Sequence, residues 1–385
     1  VYKRQDQFYE DVHDMVNKYH DTTFYLICSN IKDFKFINEI FGMEKGNQVL
    51  IKQAKLMASN PSERTICARL MNDRFALCLP REEFDEKRVA DSVKELQREF
   101  SGNSFHLHTY MGVYEIRDRD EAVSIMVDKA NIAADTIKNN YDCCVAYYDE
   151  HLLEISIEQR RLLGEFEPAL QKGEFVMYLQ PQVNRDGAAK GAEALVRWAH
   201  PSRGILTPYA FIDILENAGL IYKLDLYIWE KAAQKLAEWK EKGYGSYHIS
   251  VNISTKDFYI IDIYETFTGL INKYGIAASN LHLEITETTL MTDFEKNMNI
   301  IHKLQDVGFR VEIDDFGSGY SSLNMLKDIS ADVLKIDMGF LRKSENEVKG
   351  QDILESIITL AGKIGMDVIT EGVETKKQLD MLTIC

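Results

Sequence analysis

Two adjacent aspartates follow a short apolar segment in residues 310–323, RVEIDDFGSGYSSL. Apolar residues alternate with Glu312, and this period of two predicts a strand whose carboxyl end carries Asp314 and Asp315. Two carboxylates this close are unfavourable unless a cation or a shifted pKa relieves their repulsion. The pair therefore indicates a metal site, and the alternative is an ordinary solvated turn before a glycine.

Polar residues also end the other strands predicted in the second half of the chain. Apolar runs predict strands over 175–180, 192–198, 248–253, 281–286, 310–314, 333–336 and 368–370, with helices between them. Repeated strand–helix units predict a TIM-like (β/α) barrel, whose active site lies at the carboxyl ends of its strands. One acid alone would be a solvated rim residue, but this many predict a shared cation site. The residues are Glu193, Asn252, Glu284, Glu287, Asp314, Asp315, Lys335, Asp337, Glu371 and Glu374.

The donor types in this set indicate which cations would bind. Carboxylates with one amide suit Mg²⁺ or Mn²⁺, and the sequence has no cluster of His or Cys that would favour zinc. Two such ions can polarise a phosphoryl group and generate hydroxide near neutral pH. Lys335 should stay protonated because neighbouring anions favour its charged form. The alternative for Lys335 is a salt bridge that only neutralises an acidic barrel mouth.

Two further charged residues share a face with members of this set. Arg197 lies four residues beyond Glu193, and its guanidinium suits bidentate contact with a phosphate; alternatively it pairs with Glu193. Glu312 shares a face with Asp314 and is expected to point into the barrel. Lys335 is the one counter-ion that we can suggest for Glu312.

Composition limits the class of protein. The 385 residues are 45% hydrophobic and 28% charged, which suits two or three globular domains. A formal net charge of −16 argues against binding a nucleic acid polymer. No apolar run approaches the roughly 18 residues of a membrane span, and no signal peptide begins the sequence. Six cysteines without C-x-x-C spacing indicate reduced thiols and a cytoplasmic location.

The first half predicts a compact α/β domain. Helices are expected over 2–19, 34–41, 46–57, 89–100 and 121–139, and strands over 24–31, 106–116 and 143–148. A hairpin over 66–79 turns at Asn72 and Asp73. A helical pattern over 150–173 follows without a Pro/Gly/Ser linker. A continuous helix there would couple the two halves stiffly, and the alternative is a surface helix of the second domain.

The framework of the first domain resembles the GGDEF diguanylate cyclases. The resemblance rests on residues 33–38 (DFKFIN), the Gly42 turn and the hairpin that follows Arg69. The hairpin tip departs from the family, since it reads Met71-Asn72-Asp73-Arg74-Phe75 in place of Gly-Gly-Asp-Glu-Phe. Side chains replace two glycines where the backbone must approach a nucleotide, and Arg74 replaces an acid.

Other positions of that family are changed as well. Asn30 and Lys32 stand where the family has acidic residues, and its inhibitory Arg-x-x-Asp site is absent near Ser62 and Thr65. The resemblance therefore implies a degenerate, catalytically inactive domain with a regulatory role. Asn38 matches a guanine-contacting position and could retain nucleotide sensing, or it could simply cap or pack a helix.

The second half resembles the EAL family of cyclic di-GMP phosphodiesterases over most of 175–382. It carries Glu193-Ala194-Leu195 followed by Val196-Arg197-Trp198, and then LEITE, DDFGSGY, LKID and EGVE in that order. The resemblance implies hydrolysis of cyclic di-GMP to linear pGpG with two Mg²⁺ or Mn²⁺ ions. The alternative is a non-enzymatic cyclic di-GMP receptor, although receptors of this type usually lack ligands and none of the assessable ones is missing here.

The same resemblance implies a role for each strand-end residue. The first ion would be held by Glu193, Asn252, Glu284 and Asp314, and the second by Asp315 and Asp337 with Asp314 between the two. Lys335 would orient the attacking water and Glu371 would be its general base or a second-ion ligand, so the catalytic group is Glu371, Lys335 and Glu193. The substrate would contact Gln180 and Arg197, and the supporting residues would be Glu287 and Glu374. Residues 317–320 (GSGY) match a loop that couples homodimerisation through the EAL domain to metal binding.

The sequence thus predicts an α/β protein with a cyclase-like domain at 1–154 and a barrel domain at 155–385. Both ends look cut, because the family continues to an eighth strand beyond Cys385. A barrel that lacks its last strand has unpaired edges. We therefore expect this chain to be unstable or poorly active until roughly 20–30 downstream residues are restored.

Overall fold

The computed structural model describes residues 5–32, 34–58, 62–100, 107–138, 140, 143–316, 329–337, 347–376, 378–379 and 382, without the side chains of 36, 40, 292, 337 and 347–351. The expectations for Asp33, for residues 317–320 and for the side chain of Asp337 lie outside this description. The chain divides into two compact units, Val1–Arg160 and Arg161–Cys385.

The first unit is a mixed sheet flanked by helices. Its strands are β1 (Phe24–Ile31), β2 (Ile66–Met71), β3 (Arg74–Pro80), β4 (Thr109–Glu115) and β5 (Val145–Tyr147). Its helices are α1 (Gln5–Lys18), α2 (Phe34–Met57), α3 (Glu86–Phe100) and α4 (Val123–Thr136). The strand order is β2-β3-β1-β4-β5, in which only β4 and β5 are parallel neighbours.

The central strand β1 explains why helices cover both faces of this sheet. All eight of its residues are buried, so alternate side chains enter two different cores. Leu26 and Cys28 pack with residues of α1 and α4, whereas Tyr25 and Ile27 pack with residues of α2 and α3. A strand this apolar is stable only when both of its faces are covered.

Two turns of the first unit lie where the sequence predicts them. The backbone of α2 leaves helical geometry at Gly42 (φ 82°), which separates the two helices predicted on either side. The β2–β3 hairpin turns at Asn72 (φ 50°) and Asp73. Glycine and asparagine adopt positive φ at the lowest cost, so both turns follow from residue type.

The second unit alternates strands and helices. Its strands are β6 (Phe175–Val183), β7 (Ala189–His200), β8 (Gly204–Leu206), β9 (His248–Ile253), β10 (Leu281–Thr286), β11 (Arg310–Phe316), β12 (Val333–Asp337) and β13 (Asp367–Glu371). Helix α5 (Glu150–Lys172) begins in the first unit and ends in the second. The helices that follow are α6 (Ile212–Ala218), α7 (Ile221–Glu241), α8 (Asp257–Ile260), α9 (Ile263–Tyr274), α10 (Glu287–Thr292), α11 (Phe294–Val307) and α12 (Glu347–Lys363).

The sheet of the second unit is an incomplete TIM-like barrel, as the sequence predicts. Its order is β13-β12-β11-β10-β9-β7-β6, in which the neighbours from β13 to β7 are parallel, and β8 lies antiparallel beside β7. The first two strands differ from the expected strand–helix repeat, because β6 and β7 form an antiparallel hairpin. Residues 184–188 connect them, which is too short for the helical crossover that a parallel pair needs.

The two faces of the barrel sheet have different chemistry. Leu283 and Ile285 of β10 are fully buried in the apolar core that includes Trp229 of α7. His282 and Glu284, which alternate with them, are buried among polar groups on the other face. Because side chains alternate between the two faces of a strand, the polar side chains of His282 and Glu284 point into the barrel.

Two findings concern the expectations drawn from composition. Within the described ranges, none of the helices combines the length and the apolar character that crossing a membrane requires. The cysteines that the structure describes are free thiols, at Cys28, Cys67, Cys78, Cys143 and Cys144.

Candidate active site

Lys335 lies at the centre of a carboxylate cage formed by Glu193, Glu284, Asp314 and Glu371. Its Nζ is 3.1 Å from Glu193 Oε2, 3.0 Å from Glu284 Oε1, 3.1 Å from Asp314 Oδ1 and 2.6 Å from Glu371 Oε1. Each acid comes from a different strand, namely β7, β10, β11 and β13, and Lys335 comes from β12. The barrel sheet thus brings together five charged residues that are far apart in the sequence.

Burial and charge act in opposite directions inside the carboxylate cage. Burial lowers the pKa of Lys335, but the four carboxylates raise it more, so its pKa lies above the usual range and its ammonium stays charged. Burial raises the pKa of Glu284 well above its usual range, against the opposing charge of Lys335. Burial also raises the pKa of Glu371. One ammonium therefore balances only part of the negative charge of four acids.

The residues of the cage fit a hard divalent cation. Glu284 Oε2 is buried and has no hydrogen bond among the described residues, whereas Glu284 Oε1 is 3.0 Å from the Lys335 ammonium. Asn252 is the residue of β9 that pairs with Glu284 of β10, so an amide oxygen lies on the neighbouring strand. A buried carboxylate oxygen that accepts no hydrogen bond is unfavourable by itself. Carboxylate and amide oxygens are also the ligands that Mg²⁺ and Mn²⁺ prefer.

The end of β11 is irregular where its two aspartates lie. The pairing of β11 with β12 shifts register between Ile313 and Phe316, and Asp315 has a φ of 56°. This left-handed conformation is uncommon for a residue other than glycine, and asparagine and aspartate adopt it more often than the others. Asp314 points to Lys335, whereas Asp315 is exposed. The irregularity therefore directs the two carboxylates to different places.

The β6–β7 hairpin carries the residues proposed to contact a substrate. Gln180 of β6 pairs directly with Glu193 of β7. Arg197 Nη1 donates to the carbonyl of Val196 at 2.8 Å, and its guanidinium carbon is 5.7 Å from the centre of the Tyr178 ring. Arg197 forms no ion pair with a carboxylate in the described part of the chain, so the alternative pairing with Glu193 is not seen there.

A cavity of about 610 Å³ opens between β6 and β13, the two edge strands of the sheet. Its lining includes Gln180, Glu193, Thr370 and Glu371. Cavities of this size are typical of sites for small ligands. Gln180 and two members of the carboxylate cage, Glu193 and Glu371, therefore line this space.

The remaining strand-end residues lie outside the carboxylate cage. Glu287 is half-buried at the start of α10, after Thr286, whose side chain accepts a hydrogen bond from the Thr289 amide. Glu374 is exposed in the turn after β13, where its backbone amide donates to Gln378 Oε1 at 2.9 Å. Glu287 is the first residue of α10, directly after β10, and Glu374 lies three residues beyond the end of β13.

Sequence reasoning missed the partner of Glu312. Glu312 Oε1 is 2.6 Å from His282 Nδ1 and accepts a hydrogen bond from Ser250 Oγ at 3.2 Å. Burial raises the pKa of Glu312, but the hydrogen bond and charge of His282 lower it more, so its net pKa is below the usual range. Lys335, the counter-ion suggested from the sequence, also lowers the pKa of Glu312, but it does so less than His282, and its direct ion pairs go to the cage.

His248 extends this polar group toward the β6–β7 hairpin. Its ring is parallel to that of His282 (5° between planes, 3.9 Å between centres), and its Nε2 is 2.6 Å from Gln182 Oε1. One donor atom each from His248, His282 and Glu312 lies within 4.8 Å of the others, which suggests a metal site. However, imidazole lone pairs lie in the ring plane, so two stacked rings do not direct them at one ion. We interpret this group as a hydrogen-bonded polar layer.

Several residues of the first unit differ from those of the family that its sequence resembles. Asn30 is buried and its Oδ1 lacks a hydrogen-bond donor among the described residues. Arg74 is exposed at the start of β3. The Asn38 amide lies so close to Gly46 that a Cβ at that glycine would overlap it. Asn38 therefore has a packing role in α2, whatever else it binds.

The fold and the acidic strand ends define the class of this protein, and family models agree. The model described as EAL domain matches residues 164–384, and the model described as diguanylate cyclase, GGDEF domain, matches residues 5–142. The chain belongs to the EAL family and is a tandem GGDEF-EAL protein.

Individual relatives extend the comparison. The bifunctional diguanylate cyclase/cyclic di-GMP phosphodiesterase MucR of Pseudomonas aeruginosa is 30% identical over 94% of this chain and 54% of its own length. A solved structure of the PaMucR phosphodiesterase in complex with c-di-GMP is 33% identical, with a TM-score of 0.55, over 58% of this chain and 91% of its own. The S helix-GGDEF-EAL structure of Vibrio cholerae LapD is 17% identical, with a TM-score of 0.61, over 100% of this chain and 91% of its own, which shows the fold alone. The chain spans about half the length of the curated relatives that it matches.

Proposed function

We propose that the second unit hydrolyses one phosphodiester bond of cyclic di-GMP and releases the linear dinucleotide pGpG. The observation that carries this proposal is the convergence of Glu193, Glu284, Asp314 and Glu371, from four strands, on one lysine. An acid set this dense suits metal-assisted phosphodiester hydrolysis. The relative at 33% identity is a phosphodiesterase in complex with c-di-GMP, which supports the choice of substrate.

Two Mg²⁺ or Mn²⁺ ions are part of this proposal. When bound, they would supply Lewis-acid polarisation of the phosphate and a more acidic water. The first would be held by Glu193, Asn252, Glu284 and Asp314, and the second by Asp315 and Asp337. Glu284 Oε2 supports this assignment, because it is a buried acceptor without a hydrogen bond among the described residues.

The other residues have roles that do not depend on ligating an ion. Lys335, charged and buried, would orient the attacking water, and Glu371, whose pKa is raised by burial, would accept its proton. Arg197 would contact a phosphate, since no carboxylate of the described residues engages its guanidinium, and Gln180 would contact the nucleotide beside Glu193. Glu287 and Glu374 would brace the neighbouring loops.

The first unit is proposed to be an inactive cyclase that regulates the second. Asn30 and Arg74 replace acids at positions where the related cyclases bind metal, which leaves too few anionic oxygens for chemistry on GTP. The Glu193→Ala variant, which is not expected to hydrolyse the product, should therefore form no cyclic di-GMP from GTP and Mg²⁺, as followed by chromatography. Formation of cyclic di-GMP above the level of a no-enzyme blank would contradict this.

A cytoplasmic location and a homodimer through the EAL domain complete the proposal. The free cysteines of the described residues fit a reducing compartment. Sedimentation with and without Mn²⁺ would test the dimer.

The hydrolase proposal is tested by incubating the chain with cyclic di-GMP and Mn²⁺ and measuring linear dinucleotide. We expect Glu193→Ala to lower turnover at least about 100-fold, because it removes a proposed ligand of an ion and not merely a neighbour of one. Glu230→Gln is the matched control, since Glu230 forms a surface ion pair with Lys273 on the same unit. Equal turnover by Glu193→Ala and the parent would remove Glu193 from the site. Tight binding of cyclic di-GMP without turnover by the parent would favour the receptor.

A further inference from the structure

The acids of the carboxylate cage repel one another when no divalent cation is bound, so another positive charge must hold them together. Three of the four oxygens around Lys335 Nζ belong to Glu193, Glu284 and Asp314, at 3.0–3.1 Å. These are the same three carboxylates that the proposed function assigns to the first ion. The lysine and the ion therefore draw on one set of donors.

Lys335 Nζ donates one directed hydrogen bond, to Glu193 Oε2 at 3.1 Å, but most of its contacts with the cage are those of a charge with several opposite charges. An ammonium has three N–H donors, whereas four carboxylate oxygens surround this one. Both oxygens of Glu284 lack a hydrogen bond although one of them is 3.0 Å from Nζ. Electrostatic attraction thus fixes Lys335 in the cage, and a second cation on the same oxygens would be repelled by it.

We propose that Lys335 is an internal counter-ion that competes with a divalent cation for Glu193, Glu284 and Asp314. In the metal-free protein it holds the strands β7, β10 and β11 together at the carboxylate cage, and it lowers the affinity of the site for metal. This inference rests on the proposed function, because it takes the first-ion ligands from it.

The proposal predicts opposite effects of one substitution on stability and on metal affinity. Lys335→Met should lower the melting temperature in EDTA by about 5 °C or more, because the carboxylates of the cage lose the ammonium that is paired with all four of them. The same variant should bind Mn²⁺ at least about tenfold more tightly than the parent, because a unit charge near the ion is removed. Mn²⁺ should then recover most of the lost melting temperature.

The experiment is calorimetric titration of Mn²⁺ into the full chain, together with thermal melts in EDTA and in Mn²⁺. Lys335→Arg retains the charge and should bind Mn²⁺ no more tightly than the parent. Lys129→Met is the matched control, since it removes the largely buried partner of Glu121 in the first unit and should leave Mn²⁺ affinity unchanged. If Lys335→Met does not fold in EDTA, Lys335→Gln keeps a donor without the charge and is expected to show the same tenfold gain.

The outcomes separate this inference from the proposed function. Equal or weaker Mn²⁺ binding by Lys335→Met or Lys335→Gln, with clear binding by the parent, overturns the inference alone. A gain shared by Lys335→Arg also overturns it, because charge would then not be the cause. Absence of Mn²⁺ binding by the parent and by both neutral variants contradicts the metal site itself, and the proposed function fails with it. Binding by the neutral variants but not by the parent supports the inference.

Discussion

At the scale of single residues, the buried polar layer keeps His248 uncharged. Burial, and then the neighbouring His282, lower the pKa of His248 to about 4. An unfolded histidine has a pKa of about 6.5, so the unfolded chain takes up this proton first as the pH falls. His248 therefore contributes stability that is complete above about pH 6.5 and is lost as the pH falls toward 4.

This shift leads to a prediction for the pH dependence of stability. The unfolding free energy of the second unit should fall as the pH is lowered from 7 to 5. The fall should be larger by about 1–2 kcal/mol in the parent than in His248→Gln, a value that is reduced for the partial solvent exposure of the ring. Urea unfolding at the two pH values measures the difference. His302→Gln, which removes an exposed histidine of α11, should show the same change of unfolding free energy with pH as the parent. Identical slopes for the parent and His248→Gln would show that this ring is not held neutral.

The residues of the site could be predicted from sequence to very different extents. Glu193, Glu284, Asp314, Lys335 and Glu371 could be named because each is a charged residue in or at the end of a short apolar run, and barrel sites lie toward the carboxyl ends of the strands. Glu193 nevertheless lies inside the twelve-residue β7 and not at its end. The partner of Glu312 could not be named, because His282 is on another strand and nothing in either segment fixes their relative register. The alternation of His282 with Glu284, on one face of β10, was the available signal.

At the scale of elements, glycine permits the close approach of neighbouring strands below the site. Gly191 of β7 pairs with His248 of β9, and a Cβ at Gly191 would overlap the imidazole ring. The ring is held by Gln182 and stacks on His282, so it has little freedom to move away. The polar layer therefore depends on a residue without a side chain at this position.

Gly191→Ala tests this packing. We expect it to lower the unfolding free energy by about 2 kcal/mol, because an added methyl in a filled core forces its neighbours off their positions. Gly269→Ala is the control on the same unit, since an added Cβ on the exposed face of α9 meets nothing within 4 Å. It should be neutral or stabilise the unit by about 0.5–1 kcal/mol. Equal effects of the two substitutions in urea unfolding would contradict the packing described for Gly191.

The elements themselves were predicted well where one physical signal dominates. The bounds of β1 and β10 are those expected, because each is a short apolar run with polar residues at its ends. The three-residue strand β8 and the six-residue helix α10 were not predicted, since segments this short carry too few periods to recognise. The antiparallel pairing of β6 was missed because strand direction depends on the length of the connection and not on the apolar pattern.

At the scale of the whole molecule, the two units differ in whether acidic residues stand where the chemistry of their families would need them. Both family resemblances rest on motifs, but only the second unit has the acids that the chemistry needs. Its acids come from strands over the range 193–371, and only the parallel order of the barrel sheet unites them. The first unit has the framework of a cyclase with Asn30 and Arg74 in place of acids. Fold alone therefore does not decide activity, and the site residues must be examined in each unit.

The central claim is that the carboxylate cage holds divalent cations for hydrolysis of cyclic di-GMP. The most direct measurement is the rate of pGpG release from cyclic di-GMP as Mn²⁺ is titrated into the EDTA-treated chain, beside Glu284→Gln. The account predicts no release in EDTA, a saturable rise with Mn²⁺, and at least about 100-fold slower release by Glu284→Gln at every concentration. Release that is equally fast in EDTA, or that is unchanged by Glu284→Gln, would contradict it.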